Sequence, residues 1–115
     1  MLLSEVRDIL NAEVFCGEDM LSTEVISACG SDFMSDVLAH VKNQAVLLTG
    51  LVNPQVIRTA DMMDMKCIVF VRGKRPDETM LALAKERGIV VMATGKPMYT
   101  SCGELYFKGL RGSNP

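Results

Sequence analysis

An α/β sandwich on a mostly parallel sheet is the fold class this sequence predicts, and three repeated features predict it. Val46-Leu47-Leu48-Thr49-Gly50, Val69-Phe70-Val71-Arg72-Gly73 and Val91-Met92-Ala93-Thr94-Gly95 are each apolar runs of strand length that end in a polar residue and a glycine. The glycines fall 23 and 22 residues apart, and each is followed within four residues by a proline: Pro54, Pro76 and Pro97. Each proline opens a stretch with helical periodicity, so a strand–turn–helix unit is laid down three times. Runs that are apolar on both faces belong to parallel strands covered by helices on both sides. A proline near a helix start forfeits no intrahelical bond, because that N–H would have no partner. The spacing leaves room for one crossover helix between successive strands, which makes them parallel neighbours.

The elements follow in order. Leu3, Val6, Ile9 and Leu10 predict a short helix over about residues 3–11, Glu13 to Cys16 a strand, and Thr23 to Cys29 another. Asp32 is then expected to cap a helix whose Met34, Val37, Leu38 and Val41 make the i, i+3, i+4, i+7 pattern. Asn53 is a good N-cap for the helix at Pro54, and Asp77 suits the first turn of the next. In that middle helix Met80, Leu83, Ala84 and Arg87 share a face, with Gly88 as the C-terminal stop. The last helix carries Met98, Cys102 and Leu105 on one side and ends near Gly109. One α/β domain over residues 1–110, with βα repeats in its C-terminal half, is expected. A flexible C-terminal tail, residues 111–115, follows a frayed stretch that opens at Leu110.

Bulk properties narrow the function. A chain of 115 residues, 49% hydrophobic, has material for one core. A formal charge of −2 and a pI of about 5.3 speak against a nucleic-acid binder that works by neutralising phosphates. The apolar runs are far too short for a membrane span, and Glu5 comes too early for a secretory signal. Cysteines at 16, 29, 67 and 102 form no Cys-x-x-Cys and read as reduced thiols of a cytoplasmic protein. Neither a metal site nor a cofactor is expected. Nine methionines and no tryptophan suit an adaptable core. Met62 and Met63 are consecutive, so both cannot face the core; with Met65 and Met98 they are candidates for an apolar contact surface.

The candidate binding residues lie at the carboxyl edge of the sheet, where loops and helix N-termini converge in open parallel folds. Thr49, Gly50 and Asn53 follow one strand, Arg72, Gly73 and Lys74 the next, and Thr94, Gly95 and Lys96 the last. Hydroxyls, flexible backbone, cations and helix dipoles gathered there suit a phosphate or carboxylate. The plainer alternative is that the glycines serve turn geometry and the cations are solvated. None of the turns has the Walker or G-x-G-x-x-G spacing. Catalysis has no comparable support. His40 has no evident carboxylate partner, Cys16 and Cys102 have no evident base, and Asp61, Asp64, Glu86 and Glu104 fall on polar helix faces.

From Leu3 to about Gly109 the chain resembles the DRTGG domain. The resemblance rests on Ala45 to Gly50, on Cys67 to Gly73 followed by Pro76, and on Leu83 to Thr94, with the glycine-flanked strand at Val14 to Gly17. Where the family has its Asp-Arg pair this chain has Leu51-Val52-Asn53, and where it has Thr-Gly-Gly this chain has Val71-Arg72-Gly73. The resemblance implies a non-catalytic regulatory or assembly module that pairs as a homodimer. Such domains accompany phosphate-acetyl transferases and pyrophosphatases with nucleotide-sensing CBS modules, and also stand alone. A small anionic ligand (a nucleotide or phosphate compound) and a partner enzyme are the implied partners. A protein–protein interaction module with a vestigial pocket is the alternative.

Overall fold

Five strands and five α-helices follow the predicted order in the computed structural model, which describes residues 1–40 and 44–112. The elements are α1 (Leu3–Leu10), β1 (Glu13–Cys16), β2 (Ser27–Gly30), α2 (Met34–His40), β3 (Ala45–Thr49), α3 (Pro54–Met62), β4 (Cys67–Phe70), α4 (Glu78–Arg87), β5 (Val90–Ala93) and α5 (Met98–Phe107). A 3₁₀ turn, Glu18–Met20, joins β1 to the segment before β2. The sheet order is β1-β5-β4-β3-β2; β2 to β5 are parallel, and β1 lies antiparallel on the β5 edge.

The strands of the repeat are buried throughout, and their alternation divides the core in two. Leu47, Ile68, Phe70 and Val91 pack under Ile57, Ala60, Met80 and Ala84 of α3 and α4, with Val37 of α2 in the same layer. Val46, Leu48, Cys67, Val69, Val90 and Met92 face the other way, onto Leu3, Val6 and Leu10 of α1 and Leu105 of α5. The register keeps these sets aligned, with Val46 opposite Cys67 and Cys67 opposite Val90. The result is a three-layer sandwich, with α2, α3 and α4 on one face and α1 and α5 on the other. Among the described residues no helix is long and apolar enough to cross a membrane.

Local chemistry sets the helix ends. Asn53 accepts from the Gln55 N–H at 2.8 Å with Pro54 behind it, and Gly88 closes α4 at φ +69°. Asp77, expected inside the first turn of α4, is its N-cap instead and accepts from Met80 N–H at 2.8 Å. The apolar stretch Thr23 to Ile26, expected to be strand, is not. Only Ser27–Gly30 pairs with β3, while Val25 N–H turns to the Met1 carbonyl and Ile26 N–H to that of Gln44. Leu110, expected to open the frayed tail, is buried, and the Arg111 carbonyl accepts from Ala28 N–H at 2.9 Å. The side chain of His40, Val41 of the α2 pattern, and tail residues 113–115 lie outside the described residues.

The methionines divide as well. Met65 is core, Met62 is exposed and Met63 is half-buried against the α3 layer, so one of the adjacent pair does face out. Met98 packs on the opposite layer, so these four methionines do not form one surface.

Candidate functional site

Because β2 to β5 are parallel, their four C-terminal turns come to one edge, and backbone hydrogen bonds tie neighbours together. Ser31 N–H donates to Leu48 O, Val71 N–H to Thr49 O, and Arg72 N–H to Lys96 O at 2.8 Å. β1 runs the other way, so its first residue, Glu13, opposite Ala93, joins the same edge.

The nine predicted residues fall into four arrangements here. Thr49, Gly50 and Arg72 converge on one carboxylate, that of Asp32. Its Oδ1 accepts from the Gly50 N–H at 2.7 Å and the Thr49 hydroxyl at 3.2 Å, and its Oδ2 accepts from Arg72 Nη2 at 3.0 Å. The guanidinium lies directly over Gly50, so a Cβ there would push the Arg72 side chain off its place on Asp32. Arg72 reaches across because its backbone is left-handed, φ +60°, and Gly73 follows at φ +72°. Lys74 N–H donates to Val71 O at 3.1 Å and closes this tight turn. A non-glycine residue with φ in this range costs roughly 1–2 kcal/mol, so the turn holds Arg72 in place at a strain.

Gly73, Lys74, Thr94 and Gly95 line a second feature, an open cleft of about 250 Å³ completed by Asn11 and Glu13. The Thr94 hydroxyl is engaged, donating to Leu10 O at 2.7 Å. Lys96 turns away to the α1–α5 side: its Nζ donates to both carboxylate oxygens of Glu104, at 3.0 and 2.8 Å, and to Ile9 O at 3.4 Å. Asn53 is occupied as the cap of α3. Arg75, also in the basic turn, pairs with Glu13 at 3.3 Å and lies over the Phe15 ring. Among the described residues Lys74 is the one cation of this turn with no ion-pair partner.

Asp32 serves the β3 turn rather than α2. It was expected to cap α2, but α2 begins at Met34, and the Ser31 hydroxyl accepts from Phe33 N–H at 3.0 Å while Asp32 points at the β3 turn. The signal was present: β2 is the fourth parallel strand, so its turn, Gly30-Ser31-Asp32, belongs to the same edge. The Gly50 N–H, acting against some burial and helped by Arg72 and Thr49, holds the Asp32 carboxyl below its ordinary range. An anion is therefore held here by one amide, one hydroxyl and one guanidinium. Among the described residues no three His, Cys, Asp or Glu side chains meet as a metal ion would require.

A separate feature lies on the outer surface of α5. Tyr99 and Phe107 are 90% and 82% exposed, and with Ile9 and Gly103 they border a largely apolar groove of about 530 Å³.

Comparison with known proteins accords with this architecture. A crystal structure of the CBS and DRTGG domains of the regulatory region of Clostridium perfringens pyrophosphatase, complexed with the activator diadenosine tetraphosphate, superposes with a TM-score of 0.72 at 15% identity. The match covers 90% of this chain and 45% of that one, so this chain spans less than half the length of that structure. The sequence pattern of the DRTGG domain matches residues 5–105, nearly the whole chain. The chain belongs to the DRTGG domain family.

Proposed function

We propose that this chain is a non-catalytic regulatory domain of the cytoplasm that takes a small anionic ligand at the carboxyl edge of its sheet and acts as a homodimer. The observation that carries the reading is the convergence of Thr49, Gly50 and Arg72 on a single carboxylate, which makes this edge a place where the fold stabilises negative charge. Farther along the same edge, a cleft walled by Gly73, Lys74, Arg75, Thr94 and Gly95 adds further cationic and backbone groups. Family membership and the nucleotide activator of the pyrophosphatase regulatory region point to the same ligand class. A thermal-shift series with ATP, ADP, acetyl phosphate and inorganic phosphate tests it. Ligand at a hundredfold excess over its dissociation constant adds about 2.7 kcal/mol, or several degrees for a domain of this size. The shift is expected in the parent and absent in Arg72→Ala.

A second reading, an assembly module with a vestigial pocket, is favoured by α5. Tyr99 and Phe107 each lie four residues from Gly103, so they stand on one face about 12 Å apart along the axis. That gap is too wide to sandwich one base but matches the diameter of a helix. A second copy of α5, antiparallel across a two-fold axis at Gly103, sets Tyr99 against the partner's Phe107 twice over. This is the homodimer contact we favour. Sedimentation of Tyr99→Glu/Phe107→Glu tests it: the parent is expected to be dimeric and the variant monomeric with unchanged circular dichroism.

A further inference from the structure

Three donors turned on one point make an anion site, and in this fold the point is already filled from within. Asp32 reaches the site from the β2 turn and uses both oxygens, one toward Gly50 and Thr49 and the other toward Arg72. We infer that Thr49, Gly50 and Arg72 form a phosphoryl-binding hole for which the Asp32 carboxylate is the built-in competitor, so that ligand enters by displacing Asp32. The inference rests on the anion-binding reading above and adds which atoms bind, what must leave and what that departure does.

The chemistry of the occupant selects the ligand class. Two carboxylate oxygens and two oxygens of a phosphoryl group subtend similar spans, so either fits the donor set. Asp32 is tethered, however, and a short tether gives an effective concentration of roughly millimolar or more. A free carboxylate, with the same charge and the same two contacts, does not win that competition. A phosphoryl group carries up to two charges, against the single charge of the carboxylate. Arg72 favours the exchange too, since a guanidinium is well suited to hold two oxygens of one phosphate. The ion pair that must open is half-exposed, a class of contact that contributes only about 0–1 kcal/mol.

Displacement also has a route to a partner. Asp32 ties the β2–α2 turn to the β3 turn across the sheet edge, and Phe33, 71% exposed, immediately follows it. A phosphoryl group in the hole releases the Asp32 side chain and with it Phe33 from that anchor, while Ser31 stays on the Leu48 carbonyl and β3 and β4 stay fixed by their own ladder. The ligand state is thereby passed to the N-terminal end of α2, a change at the surface produced by exchange of one anion for another.

The test is an amide NMR titration of the full chain with ATP, with inorganic phosphate and with acetate, on the parent, Asp32→Ala, Asp32→Asn and Arg72→Ala. The Gly50 amide is expected to move on ATP addition in the parent, with Phe33 and Met34 moving alongside it. Both Asp32 variants are expected to bind ATP and phosphate about tenfold more tightly than the parent, the equivalent of one charge-assisted hydrogen bond no longer opposed. Acetate is expected to bind the variants only. Asp32→Asn keeps an acceptor for the Gly50 N–H, so it serves should the alanine variant fail to fold. Binding by the parent that Arg72→Ala abolishes and that neither Asp32 variant strengthens would overturn the competitor role while leaving the anion site standing. Binding that Arg72→Ala leaves intact would overturn the hole itself, and no binding by any folded variant would overturn this inference together with the reading it rests on.

Discussion

Arg72 does two things at once: it adopts a left-handed backbone, which disfavours any side chain, and it spans from β4 to the Asp32 carboxylate. Substitutions separate the two. Arg72→Gly relieves the backbone and loses the ion pair, two terms of about 1 kcal/mol that largely cancel. Arg72→Ala keeps the strain and loses the pair. Urea denaturation is expected to place Arg72→Gly near the parent and Arg72→Ala about 1 kcal/mol below Arg72→Gly, while both lose the ligand. Acid probes the other half of the contact. The Asp32 carboxyl titrates below the ordinary value of an unfolded aspartate, with Arg72 the charge that faces it. Its contribution is thus present above that ordinary value and is lost as pH falls through the lower folded value. The parent is therefore expected to be more stable than Asp32→Asn at pH 6, with the gap closing on acidification below pH ~4, as seen in denaturation curves at stepped pH. The cysteines, read from sequence as reduced thiols, are all free. Burial pushes the Cys67 thiol strongly up and raises Cys16, Cys29 and Cys102 too, so a thiol reagent at neutral pH is expected to react slowly until denaturant is added.

At the scale of the element, the caps make the sharpest predictions. Asp77→Ala leaves the Met80 N–H without its acceptor and is expected to cost about 1 kcal/mol; Gly88→Ala, at φ +69°, is expected to cost a similar amount, both by urea denaturation. The repeat β3–α3–β4–α4–β5–α5 was legible because each unit states its own boundaries: a run apolar on both faces, a glycine turn and a proline. β2 was half legible. Its apolar approach, Val25 and Ile26, has strand-forming residues, yet those residues pair with Met1 and Gln44, partners far away in sequence that no local pattern reveals. The same physics hid Asp32. A polar residue just before an amphipathic helix looks like a cap by every local criterion, and only the parallel register of β2 against β3 turns it toward Thr49 and Gly50. Arg72 was picked out as a cation at a turn, but its left-handed conformation, which directs it across Gly50, has no signature in an arginine.

For the whole molecule, the parallel sheet explains why one edge holds most of the candidate chemistry, and the three-layer packing explains why the α5 face is separate from it. In the basic turn, Arg72-Gly73-Lys74-Arg75, two of the three cations are paired in the folded chain, Arg72 with Asp32 and Arg75 with Glu13. The proposed anion site and the proposed dimer face can be tested independently: Tyr99→Glu/Phe107→Glu is expected to change oligomeric state without changing anion affinity. The most direct test of the central claim is calorimetric titration of ATP into the parent and into Arg72→Ala, with folding of both verified by circular dichroism. Saturable binding by the parent that falls at least tenfold in Arg72→Ala is the result expected of a phosphoryl-sensing edge. Equal affinities, or no heat from a folded parent, would contradict it.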